Sequence, residues 1–147
     1  VELLRSVIKN NHDKDAVVEQ VMQIFDKARL GELGEEIVQT ARKEAISIMD
    51  QGMQLWKEGK LDDAVTWMRK ARISLPSNVR VLFNCAQIYI SKLQKDGINA
   101  DLFNETREAL LQANKLAPNQ KRFAQMMETL STMVQKEDET GKENQAE

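Results

Sequence analysis

AISIMDQGMQLWKEGKLDDAVTWMRKARISLP, residues 45–76, is the stretch that decides the fold of this chain. Within it Gly52, Leu55, Ala64, Met68, Ala71 and Pro76 stand at the offsets of a two-helix unit. Gly52 and Ala64 are small enough to let two antiparallel helices approach, and the larger Leu55 and Met68 fill the space around them. Ala71 lets the second helix lie against the next unit. Pro76 cannot continue a helix and stops it. The turn is equally plain: Gly59 ends a helix in the left-handed conformation, and Asp62 and Asp63 suit the first turn of the next.

From Val79 the pattern restarts, with Leu82, Cys85, Ala86 and Tyr89 where Ile48, Gln51, Gly52 and Leu55 stood. It ends on Ala113-Asn114-Lys115-Leu116-Ala117-Pro118, again an alanine five residues before a proline. Pro76 and Pro118 are 42 positions apart, which against a period of about 34 leaves a surplus of roughly eight. The sequence places that surplus between the two helices, around Lys95–Asp101, as a projecting loop or extra turn. A third amphipathic segment (Phe123, Met126, Met127, Leu130, Met133, Val134) follows with no partner helix after it, as a cap to a stack requires.

These spacings resemble the tetratricopeptide (TPR) repeat over about Ala45–Val134. The fold class expected is all-α: a right-handed solenoid of helical hairpins, TPR-like, with two extra N-terminal helices and a C-terminal capping helix. The expected organisation is an N-terminal helical pair in 1–30 and a TPR-like domain in 33–135. That domain divides into a repeat at 45–78, a stretched repeat at 79–120 and a cap helix at 120–135. The tail 136–147, acidic and almost without apolar residues, is expected to be disordered.

Composition agrees with a helical chain and excludes several functions. The 147 residues make one domain with two prolines, six glycines and 30% charged residues. A net charge of −2 gives no electrostatic reason to expect nucleic acid or an anionic membrane. No stretch approaches the ~20 apolar residues that span a bilayer, and a single cysteine cannot form an internal disulfide, which fits a cytoplasmic setting. The first residue is valine, so the sequence is expected to be a fragment of a longer chain.

Along the N-terminal region Leu3, Leu4, Val7 and Ile8 form one stripe that ends near Asn10-Asn11, and Val17, Val21, Ile24, Phe25 and Ala28 form the next. From about Leu33 to Glu58 nothing interrupts the helical pattern. This long helix has a second stripe: Val38, Ile46, Met49, Met53 and Trp56. In a TPR stack the first helices line the concave surface. By that register the candidate partner-binding face is Met49, Met53, Trp56, Lys57, Arg80, Phe83, Gln87 and Arg122. It suits an extended or helical peptide, with methionines adapting to its shape. The alternative is that the N-terminal helices fold back and cover the stripe with Leu4, Val7, Val21 and Phe25. A carboxylate clamp of the kind found in chaperone-binding TPR domains is not expected, because Met53 and Gln87 stand where the groove asparagines would be.

Other residues carry little chemistry. His12, in a polar turn beside Asp13, reads as a solvated loop residue with no second ligand at metal spacing. Cys85 reads as core. Glu35-Glu36 and Asp62-Asp63 read as helix-opening acids and not as a catalytic pair. Trp67 is either exposed or packed on the long helix. No catalytic residue, metal ligand or cofactor site is expected, and the chain reads as a non-enzyme.

The run Ile46–Pro76, the phrase Lys121-Arg122-Phe123-Ala124 and the segment Ile24-Phe25-Asp26-Lys27-Ala28 also resemble the C-terminal part of bacterial response regulators that join a receiver domain to TPR repeats. That resemblance implies an output or regulatory module of two-component signalling acting through protein contacts, while the receiver's acidic pocket is missing from these residues. The expected function is a scaffold for a protein or peptide partner. The alternative is a self-association domain that pairs as a homodimer without a peptide groove.

Overall fold

Helices form wherever the sequence carries helical periodicity. The computed structural model describes residues 2–28 and 30–145, and among them are seven helices and no strand. They are α1 (Glu2–Asn11), α2 (Asp15–Lys27), α3 (Gly31–Lys57), α4 (Leu61–Ser74), α5 (Val79–Asp96), α6 (Ala100–Leu116) and α7 (Lys121–Gln145). Each packs on its neighbour in the chain, and α5 also touches both α3 and α7.

The α3–α4 hairpin closes where the small residues allow it. A Cβ on Gly52 would stand 2.7 Å from Met68 Sδ, so any larger residue there must displace the buried Met68 side chain. Ala64, Met68 and Ala71 on the facing side are completely buried. Gly59 turns the chain with φ 79°, and the Lys60 N–H donates to the Leu55 carbonyl at 2.9 Å. Asn78 caps α5 by accepting from the Val81 N–H at 3.1 Å, and Asn99 caps α6 by accepting from Leu102 N–H at 3.0 Å.

Two hydrophobic clusters share α3. The larger runs from Ala45 through the α4–α5–α6 interfaces to Leu130 on α7. The smaller joins Ile8, Val21, Phe25 and Val38, where α1 and α2 pack on the first half of α3. Gly34 permits that docking: a Cβ there would meet the Phe25 ring at 2.8 Å. A helix of 27 residues is about 40 Å long, enough to serve both clusters.

Two expectations fail. The surplus of the second unit does not project: α5 continues to Asp96 and α6 starts at Ala100, leaving only Gly97-Ile98-Asn99 between them. Nothing in Gln94-Lys95-Asp96 breaks a helix, so the extra residues lengthen the two helices. Nor is the tail from 136 disordered as far as it is described, because α7 runs through to Gln145, ten residues past the expected end of the cap. The segment lacks proline, consists mainly of helix formers, and sets Asp138 four residues ahead of Lys142, the favourable order for a charge pair. Residues 146–147 of that tail lie outside the described ones.

Candidate functional site

The facing sides of α3, α5 and α7 carry a connected polar track over an apolar floor. Arg122 on α7 donates from Nη2 to Gln87 Oε1 at 2.6 Å and to Asn84 Oδ1 at 3.0 Å, both on α5. Its guanidinium carbon lies 5.4 Å from the centre of the Phe83 ring. Asn84 in turn points its amide nitrogen at Met49 Sδ, 3.5 Å away on α3. Further along, Trp56 Nε1 donates to Ser91 Oγ at 3.0 Å, and the Ser91 hydroxyl donates to the Gln87 carbonyl at 3.0 Å. Met49 and Trp56 of α3 and Arg122 of α7 are thereby tied to α5.

The candidate residues divide by exposure. Lys57 and Arg80 are exposed, while Met53, Trp56, Gln87 and Arg122 are half-buried. Met49 at 1% and Phe83 at 4% exposure are core residues and offer a partner almost nothing. Helical register places a residue on a face but does not say whether the next helix covers it. α5 covers Met49, and Arg122 lies over Phe83. The alternative cover holds only for the start of the stripe: Leu4, Val7, Val21 and Phe25 pack around Val38 in the smaller cluster, while Met49, Met53 and Trp56 belong with the larger one. Ile46, between the two, is 38% exposed.

Arg122 has an unusual electrostatic setting. Its acceptors are neutral amide oxygens, and none of the ion pairs among the described residues includes it. Burial pulls its pKa below the ordinary arginine value. A guanidinium stays charged under these conditions, so this face holds a partly desolvated positive charge with no counter-ion among the described residues. Beyond it the channel between α5 and α7 opens into a groove of about 640 Å³ walled by Leu93, Gln94, Ile98, Gln125, Thr129 and Met133.

Asn84 and Ser91 belong to this track although the sequence reading did not assign them to the face. The signal was present: Asn84, Gln87 and Ser91 recur at i, i+3 and i+7, a polar stripe on an otherwise apolar helix. A buried amide requires partners, and Asn84 at 7% exposure has two.

Elsewhere the side chains serve the fold. Cys85 is fully buried, its thiol donates to the Met68 carbonyl at 3.3 Å, and burial pushes its pKa up to about 12. Trp67 is half-buried near Gly52, with Lys70 Nζ 4.7 Å from its ring centre. His12 corrects the reading of a solvated loop residue: it is 1% exposed, and its Nδ1 has no hydrogen-bond partner. Among the described residues no three His, Cys, Asp or Glu side chains are grouped to hold a metal ion. No described helix is long and apolar enough to cross a membrane.

Set against protein-family models, curated proteins and solved structures, the chain matches none. The resemblances to TPR repeats and to response regulators therefore rest on the residues quoted for them.

Proposed function

We propose that this chain is a protein-interaction module, a TPR-like scaffold whose α3–α5–α7 face takes a peptide or helix with acidic residues beside an apolar segment. The observation that carries it is Arg122, half-buried over Phe83, hydrogen-bonded to neutral amides and without a carboxylate partner. By helical register the exposed Lys57 and Arg80 add positive charge to that side, and half-buried Met53 and Trp56 supply apolar contact. A complementary acidic ligand gains most where its charge meets a cation that water already solvates poorly. The small-residue spacing of the hairpins and the contacts of α5 with both α3 and α7 support the repeat reading. The response-regulator resemblance adds a role as the output part of a bacterial cytoplasmic signalling protein.

The test is a display selection of amphipathic peptides, followed by titration of the selected sequences against the parent and a Lys57→Glu/Arg80→Glu variant. Both positions are exposed, so the fold is spared. Enrichment of acidic-apolar sequences and about tenfold or greater loss of affinity in the variant support the reading. Equal binding to both proteins moves the site elsewhere.

Self-association is the second reading, favoured by Ile73, 77% exposed on α4. Sedimentation of the parent and of Ile73→Ser separates the two, since only a pairing surface at α4 makes the dimer depend on that residue.

A further inference from the structure

The α1–α2 turn and the α4–α5 turn lie back to back. The Ser77 N–H donates to Asp13 Oδ2, and Arg42 of α3 donates to the His12 carbonyl at 3.0 Å. His12 itself is tucked into this junction, 1% exposed, with Nδ1 unpartnered, and Asp13 Oδ1 is likewise buried without a partner. A cavity of about 480 Å³ at the junction is walled by these residues together with Ile46, Leu75 and Arg80. No apolar cluster spans this contact: the smaller cluster holds α1 and α2 to α3, and the larger begins at Ala45. Beside the α1–α4 helix contact, the ties of the N-terminal pair to the α4–α5 turn among the described residues are therefore polar, and a buried imidazole sits among them.

From this arrangement we propose that the His12 turn is an acid-sensitive latch, closed while the imidazole is neutral and released when it is protonated, freeing α1 and α2 from the α4–α5 turn. The surroundings decide the direction. On its own turn Asp13 favours the charged ring, as does the main chain of Ser74 on α4, while Arg42 from α3 opposes it. Arg80 of α5 lines the same cavity, and Asp15 faces Arg42 at 3.7 Å. Burial outweighs the favourable contacts and holds the imidazole below its ordinary value of 6.5. The folded state thus binds fewer protons than the unfolded one in the window just below that value. Stability contributed by the neutral ring is present above it and lost as pH falls through the folded-state value. The chain has one histidine, and histidine is the side chain that ordinarily changes charge between about pH 5 and 8. A transition in that window that disappears when His12 is replaced is therefore assignable to the imidazole.

The experiment is hydrogen exchange at about pH 7.5 and about pH 5, corrected for intrinsic rates, with an NMR titration of the imidazole. In the parent, protection of α1 and α2 is expected to fall measurably at the lower pH while α5 keeps its protection, as the lowered pKa of the buried imidazole requires. His12→Gln, neutral at both pH values, is expected to abolish the pH-dependent difference. The proposal is overturned by an imidazole that titrates at or above 6.5, by unchanged α1–α2 protection in the parent, or by an equal acid loss in His12→Gln. If the glutamine variant undocks at both pH values, the parent's titration and its own exchange decide alone.

Discussion

Arg122 on α7 reaches across to Gln87 on α5 with a 2.6 Å hydrogen bond and shares the same nitrogen with Asn84 at 3.0 Å. Arg122→Met keeps much of the apolar stem and removes the donor, leaving a buried Asn84 oxygen unsatisfied. A loss of about 1–3 kcal/mol is expected, read as a lower urea midpoint and weaker protection at the start of α7. An unchanged midpoint refutes the docking role.

Gly34 faces a ring that has nowhere to go. Phe25 is fully buried, and a Cβ on Gly34 would stand 2.8 Å from two of its ring carbons. Gly34→Ala is expected to cost about 1–3 kcal/mol through overpacking, less about 1 kcal/mol regained from helix propensity. Exchange should rise in α1 and α2 before α5. Gly141→Ala, with open space around its site, is the control and is expected to leave that docking intact.

The three-residue link from α5 to α6 is demanding in a different way. Gly97 has φ 86° and ψ 172°, a region that other residues avoid, although no atom crowds it. Gly97→Ala is expected to lose about 1–3 kcal/mol to backbone strain alone, and Asn99→Ala about 0.5–2 kcal/mol through the lost cap. Thermal melts measure both. A Gly97→Ala protein as stable as the parent excludes the strain.

Cys85 provides a probe of opening. With its thiol raised from 9.0 to about 12, its thiolate fraction near neutral pH falls by about a thousandfold, and burial blocks reagent access. Labelling by a thiol reagent near pH 8 should follow global unfolding in urea. Fast labelling of the native protein contradicts the buried placement.

The hairpin was readable because Gly52, Ala64, Ala71 and Pro76 act locally: size sets approach, and a missing N–H ends a helix. His12 was not readable. Asn10-Asn11-His12-Asp13-Lys14 has the composition of a wet turn, and its burial comes from Ser74–Ser77, some sixty residues later in the chain. Met49 and Phe83 failed for a related reason, since register assigns a direction and only tertiary packing assigns a cover. The residues read as a surplus at Lys95–Asp101 lie in the end of α5, the three-residue link and the start of α6. Only Gly97, as the first breaker, showed where the helix could extend.

The length of α3 has a mechanical consequence. A rod of 27 residues, gripped along its first half by α1 and α2 and further on by α4 and α5, joins the two clusters through one continuous backbone. The tie between Asp13 and Ser77 is off the rod's axis and acts as a torsional stop. Cutting it leaves the N-terminal pair held by its packing on α3, by the α1–α4 contacts and by the Arg42–His12 hydrogen bond. A swing about α3 would shift Asp13 relative to Ser77 and Arg80 while the distance between the ends of α3 stays constant. Distance labels placed along the rod would miss it, and labels placed across it, from α2 to α5, would report it.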